Sequence, residues 1–176
     1  MSYFCNPLWP LKITFTSREM ELLLVLAKGR HFLKDQANPN RPQKQWGNDR
    51  ETIDLLGVMG EYAVSKALKI PMDMSCGLEG DGGTDLMMGE YNIDVKTTKY
   101  KTGRLVFNLN DELKADIYIL CWAMEGAAEV ILQGYIRRQS MDEVMTEQNL
   151  GYGMRKVIDQ KHLKPISLLL AYRENK

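Results

Sequence analysis

The pair Gly89-Glu90, set between two runs of alternating polarity, commits this chain to a β-hairpin. A Gly-X dipeptide suits a two-residue type II′ turn, because the first central residue needs a positive φ that glycine adopts without a Cβ penalty. With those two residues as the loop, Met88 faces Tyr91, and counting outward places Asp85 opposite Asp94. Strand alternation then sets Asp85, Met87, Asn92, Asp94 and Lys96 on one face, and Leu86, Met88, Tyr91, Ile93 and Val95 on the other. Directly opposed residues have Cβ atoms about 4.5–5.5 Å apart, and like charges placed there repel. Two aspartates in such positions need something between them, and a divalent cation is the natural candidate.

With 176 residues the chain is expected to form one domain with a substantial core. Its 23 basic and 23 acidic residues cancel, which argues against a protein that coats nucleic acid nonspecifically but leaves room for a local basic groove. Cys5, Cys76 and Cys121 are odd in number and have no CxxC spacing, so neither a disulfide framework nor a zinc site is indicated. Leu22–Ala27 is the longest apolar run near the start, far short of a membrane span, and residues 1–15 lack a signal-peptide pattern. The expectation is a cytoplasmic protein without a membrane partner.

Thr16-Ser17-Arg18-Glu19 reads as a capping box opening a helix that carries Leu22, Leu23, Val25 and Leu26 and fades near Gly29–Leu33. Residues 34–47 read as a polar connector rich in Pro and Asn. Arg41, Lys44, Trp46 and Arg50 are the residues there that a DNA-clamping lid would use, though a plain connector is the preferred reading. Asn48-Asp49-Arg50-Glu51 is a second capping box, opening a helix from about Asp49 to Leu68 with the stripe Ile53, Leu56, Gly57, Gly60, Val64, Ala67 and Leu68. Its two glycines would allow close approach to a sheet, and Glu61 sits at the edge of the stripe.

Further on, a short strand near Met72–Cys76 precedes the glycine-rich turn and the hairpin. Arg104–Phe107 reads as another strand, and Asp116–Ala123 with Glu129–Arg137 as a second hairpin. Ser140-Met141-Asp142-Glu143 would open a short helix, and Ile166–Tyr172, after Pro165, reads as a final strand.

The chemistry of this constellation is that of metal-assisted phosphodiester hydrolysis. Asp85 and Asp94 are hard oxygen ligands, and Mg²⁺ typically takes one or two carboxylates plus waters and phosphates. Lys96 shares their face about 6–7 Å along the strand, where its ammonium would orient the attacking water or neutralise a phosphate. The register places Gly83 opposite Lys96, leaving room for a substrate backbone. Glu61 would complete the metal site or hold a second ion.

Gly60-Glu61 on a helix, then Gly83-Thr84-Asp85, then Asp94-Val95-Lys96-Thr97-Thr98 together resemble the PD-(D/E)XK nuclease superfamily, which includes restriction endonucleases, Holliday junction resolvases and phage exonucleases. Lys114–Leu120 and Gly134-Tyr135-Ile136 resemble the strands that follow the motif in small phage and bacterial members. The likeness spans roughly residues 49–137, leaving 16–48 as an N-terminal helical extension and 138–176 as added α/β elements. Thr84 stands where the motif's namesake proline would be, and the QxxxY element of the RecB-like branch is absent after Lys96. The resemblance implies a restriction-endonuclease-like α/β core, a central mixed β-sheet flanked by helices. It also implies a Mg²⁺- or Mn²⁺-dependent deoxyribonuclease, an endonuclease in preference to an exonuclease. Glu61, Asp85, Asp94 and Lys96 would be the catalytic residues, with the Val95 carbonyl a further metal ligand. DNA would be the partner, no small-molecule cofactor is called for, and homodimers that cut both strands are the family habit.

Thr97, Thr98, Lys99, Lys101 and Arg104, interleaved with Tyr100, would contact DNA phosphates, positioning the strand without reading sequence. Against this stands an ordinary solvated turn, and for the threonines simple strand propensity. For the whole site the rivals are a solvated strand in which Lys96 merely neutralises Asp94, and a non-catalytic nucleic-acid- or protein-binding module on the same fold. Arg137-Arg138 reads as a solvated strand end. His31 and His162 lack ligand spacing and read as structural or surface residues, and the methionines, including Met87, Met88, Met141 and Met145, as core filler.

Overall fold

In the computed structural model, residues 10–40, 44–45, 48–75 and 84–174 are described. The elements in chain order are β1 (Leu11–Thr14), α1 (Ser17–Ala37), β2 (Lys44–Gln45), β3 (Asn48–Asp49), α2 (Arg50–Leu68), β4 (Leu86–Met88), β5 (Tyr91–Thr98), β6 (Leu105–Asn108), β7 (Ile117–Ala123), β8 (Glu129–Arg137), β9 (Thr146–Asn149), β10 (Met154–Ile158) and α3 (Ile166–Glu174). The chain is α/β, with helices flanking a central mixed sheet. No helix among the described residues is long and apolar enough to cross a membrane.

Helix α1 begins where its capping box dictates. Thr16 Oγ1 accepts from the Glu19 amide at 3.2 Å, while the Glu19 carboxylate accepts from the Thr16 amide at 2.7 Å. The helix does not fade at Gly29 but continues to Ala37, so part of the expected connector is helical. Its apolar spacing lapses there, and charged contacts to α2 take over: Lys34 Nζ and His31 Nδ1 both meet Asp54, at 2.7 and 2.8 Å. His31 is therefore structural, wedged between Asp54 and Asp35. The buried stripe is Leu23, Leu26 and Ala27, whereas Leu22 and Val25 face outward.

Helix α2 is capped by Asp49, one residue later than expected, through a 2.7 Å bond from the Thr52 amide. Arg50 is buried and paired with Asp35 at 2.7 Å, which removes it from any clamping lid. Of the other lid residues, Arg41 and Trp46 lie outside the described residues, while the Lys44 backbone pairs with Asp49 in a two-residue ladder. The α2 stripe rests on the sheet at Gly60, where an added Cβ would collide with the Thr97 hydroxyl. At Gly57 an added Cβ would meet nothing within 4 Å, so only one of the two glycines serves close approach.

The large sheet has strand order β1-β8-β7-β5-β4, with β5 and β7 parallel and the other neighbours antiparallel. Beside it lies a three-stranded sheet, β6-β10-β9. One face of the large sheet sends Ile93, Val95, Ile117, Ile119 and Cys121 into a core shared with α1, α2 and α3. The other sends Tyr118, Leu120 and Ile136 against Leu105, Phe107 and Ile158 of the small sheet. The Phe107 and Tyr118 rings meet edge-on at 5.3 Å between centroids, a geometry their quadrupoles favour. Cys121 sits on a strand with neighbours on both sides, and burial, aided by the field of Asp85, pushes its thiol pKa up.

Two expectations for the C-terminal third need correction. Residues 138–144 form a 3-10 turn, Arg138–Ser140, and a following turn rather than an α-helix, because buried Met141 anchors the chain before it enters β9. Ile166–Glu174 is helical, not a strand, burying Ile166 and Leu169 three residues apart. The second sheet's β9 and β10 were not foreseen, nor was β1. Near Met72 only a single bridge to Leu86 forms among the described residues, in place of a strand.

Candidate functional site

The hairpin forms in the expected register. Gly89 has φ +62° and Glu90 does not have a positive φ, the pattern of a type II′ turn. Leu86 pairs with Ile93, Met87 with Asn92 and Met88 with Tyr91. Asp85 lies one residue beyond β4 and grips β5 on either side of Asp94. Its amide donates to the Ile93 carbonyl at 2.9 Å, and its Oδ2 accepts from the Val95 amide at 2.6 Å. The carboxylate thus replaces a ladder bond and touches the Asp94–Val95 peptide. Because N–H and C=O of one strand residue point the same way, the Val95 carbonyl is turned toward this edge as well.

Asp94 is buried, with Lys96 Nζ 2.7 Å from Oδ1 and 2.9 Å from Oδ2. Lys96 keeps 41% of its side chain exposed, against 12% for Asp94. The parallel register sets Asp94 beside Tyr118 and Lys96 beside Leu120. Both therefore project on the small-sheet face, while Val95 and Thr97 project toward α2. Burial raises the Tyr118 pKa, the Ala115 amide bond to its hydroxyl opposes that rise, and the charge of Asp94 adds to it.

Glu61 comes from the helix side and is held there. Arg30 Nη1 donates to its Oε2 at 2.6 Å, and both side chains are largely covered. The same guanidinium donates to the Asp73 carbonyl at 2.8 Å and the Ser75 carbonyl at 3.4 Å. Burial opposes the arginine's charge, yet the bond to Glu61 and the fields of Glu61, Asp73 and Asp85 outweigh that penalty and raise its pKa. Arg30 was missed in the sequence, although one signal existed: it extends the buried stripe Leu23, Leu26, Ala27 by one helical step, an unusual place for a charge.

The donors fit a hard divalent ion in kind: Asp85 and Asp94 supply carboxylate oxygens and Val95 a carbonyl. Among the described residues, however, no three Asp, Glu, His or Cys side chains converge as an ion-holding group. Glu61 is Arg30's partner in this arrangement, leaving two carboxylates in place of the three expected. Gly83 lies outside the described residues.

Beyond Lys96 the chain forms the wall of a cleft of about 780 Å³ at the C-terminal end of β5, between α2 and the small sheet. Thr97, Thr98, Lys99 and Arg104 line it; Lys101 does not. The Thr97 hydroxyl is buried against Gly60 with no hydrogen-bond partner among the described residues. Thr98 Oγ1 accepts from the Tyr100 amide at 3.2 Å. The loop is anchored by its carbonyls: Trp122 Nε1 donates to Lys99, Gln133 Nε2 to Lys101, and Gln160 Nε2 to both Lys101 and Gly103. Lys99 lies over the Tyr100 ring at 5.3 Å, and Arg104 donates to Gln148 Oε1 at 2.8 Å.

Compared with protein-family models, with curated proteins and with solved structures, the chain matches none.

Proposed function

We propose that the protein is a Mg²⁺- or Mn²⁺-dependent DNA nuclease on a restriction-endonuclease-like core. One observation carries the reading: Asp94 and Lys96 are ion-paired on one strand while the Asp85 carboxylate is bonded to the Val95 amide between them. Asp85, Asp94 and the Val95 carbonyl would hold the ion. A divalent ion there would polarise a phosphate oxygen and lower the pKa of a coordinated water. Lys96, anchored at Asp94 yet partly exposed, presents a positive charge to the incoming phosphate and orients the attacking water. Asp85's bond to the strand backbone fixes its carboxylate before substrate arrives, so little reorganisation is needed. Cleavage would expel a 3′-hydroxyl and leave a 5′-phosphate, as the family likeness implies.

The test is cleavage of plasmid and of branched DNA with and without added Mg²⁺. Lys96→Ala and Asp94→Ala should each lower the rate by at least about a hundredfold, the usual effect of removing a positioned proton-handling or charge-stabilising group. Activity equal to the parent in either variant sinks the proposal.

The Arg30–Glu61 pair favours a second reading, a nucleic-acid- or protein-binding module without catalysis, since it neutralises the helix carboxylate. Such a module would show no Mg²⁺ or Mn²⁺ site by titration calorimetry and would bind DNA equally well with and without metal.

A further inference from the structure

We propose that the cleft at the C-terminal end of β5 seats an unpaired, single-stranded stretch of polynucleotide, its bases stacking on Tyr100 and Tyr152. The proposal rests on the nucleic-acid reading above and names the form of the substrate. Tyr100 and Tyr152 both line the cleft and both remain exposed. Each carries a cation over its ring, Lys99 at 5.3 Å and Arg155 at 5.2 Å. An exposed ring with a cation against one face matches a nucleotide, whose base would stack on the other face while its phosphate meets the charge. Paired bases inside a duplex are already stacked and would leave both rings unused.

The two tyrosines are presented by constrained backbone. Tyr152 sits at the tip of the β9–β10 connection between Gly151 and Gly153, whose φ angles are +87° and +115°. That tip is closed by the Gly151 amide on Asn149 Oδ1 at 2.9 Å and the Leu150 amide on the Gly153 carbonyl at 3.2 Å. Tyr100, also lining the cleft, belongs to the loop whose carbonyls Trp122, Gln133 and Gln160 hold. Pre-set aromatic faces of this kind cost little ordering entropy on binding. The cleft begins at Thr97 and Thr98, about 3.3 and 6–7 Å along the strand from Lys96. Thr98 shares the strand face of Asp94 and Lys96, so a strand seated in the cleft would approach that pair past Thr98. The chain's zero net charge fits this picture, since attraction must then come from the local cations and not from a basic surface overall.

The experiment is fluorescence anisotropy of the full chain in EDTA, so that binding is read without cleavage. The probes are labelled oligo-dT of about 20 nucleotides and a duplex of equal length, with inorganic polyphosphate as competitor. Oligo-dT should bind at least about tenfold tighter than duplex, and Tyr152→Ala should weaken it about tenfold, as expected for one lost stacked base. Tyr152→Phe, which keeps the ring, should restore the parent affinity, and unchanged thermal melting of Tyr152→Ala shows that the fold is intact. Tighter duplex binding, an undiminished Tyr152→Ala and Tyr100→Ala pair, or displacement by polyphosphate at equal charge overturns the proposal. Loss of metal-dependent cleavage activity with single-strand preference intact would sink the nuclease reading alone. Cleavage without that preference would sink the cleft alone.

Discussion

Two carboxylates, Asp94 in the middle of β5 and Glu61 on α2, are each held by a cation, and the two are held differently. Asp94 is met by a lysine two residues along the same strand, whose side chain remains 41% exposed. Glu61 is met by an arginine from another helix, and both members of that pair are more than four-fifths covered. Arg30 is further fixed by the Asp73 and Ser75 carbonyls, using its planar fork to tie three chain segments together. The lysine is a compact charge on a flexible stem, able to turn toward a substrate. Side by side, the pairs separate a partly exposed charge on a flexible stem from a covered charge that ties elements together.

The strongest way to break this distinction is to remove Arg30. Arg30→Gln leaves the Glu61 carboxylate covered and without its cation, which should cost about 3 kcal/mol in urea unfolding, near the low end for a severed buried pair. If Glu61 belongs to the metal site, Mg²⁺ should restore part of that loss by binding the freed carboxylate. A purely architectural pair gives no recovery, and the melting temperature with and without Mg²⁺ decides it.

Next in size is the contact that sets Glu61's helix against the strand. Gly60→Ala would drive a methyl into the Thr97 hydroxyl and should cost about 1–3 kcal/mol as α2 is pushed off β5. Cleavage should fall with it if the α2–β5 spacing matters to the site. Gly57→Ala, one helical turn earlier and facing open space, should instead stabilise by about 0.5–1 kcal/mol by removing glycine's backbone freedom. Equal effects at the two positions would contradict the geometry.

The smallest expected effect is a control for ordinary surface electrostatics. Lys66, aided by the Thr16 amide, holds the Glu19 pKa down to about 2 from 4.5. A depressed acid stabilises the fold fully above pH 4.5 and loses that contribution as pH falls toward 2. The stability difference between the parent and Glu19→Gln should therefore be constant above pH 4.5 and shrink steadily toward pH 2. A difference that grows on acidification would reverse the assignment.

What could be read in the sequence follows from how local each signal is. The hairpin register was legible because a Gly-X turn and period-two polarity are both written within about a dozen residues. The Asp94–Lys96 pairing came with it, since i and i+2 share a strand face. The capping box at Thr16 was equally local. Ile166–Tyr172 misled because a short apolar run does not distinguish a buried strand from a buried helix. The second half of α1 was hidden because its stability comes from charges on α2 and not from its own apolar spacing. Thr146–Asn149 is polar throughout and forms a strand only because β10 pairs with it. Arg30's grip on Glu61 spans 31 residues, and no local pattern announces a partner at that distance.

Cys121 gives the molecule an internal clock. Its thiol is wholly covered on a strand hydrogen-bonded on both sides, so a thiol reagent reaches it only after the sheet parts. In a chain with Cys5 and Cys76 replaced by serine, the labelling rate of Cys121 would report opening of the β5–β7–β8 region without reference to any activity. Slower labelling in the presence of Mg²⁺ or oligo-dT would register, from the centre of the sheet, that something has bound at its edge.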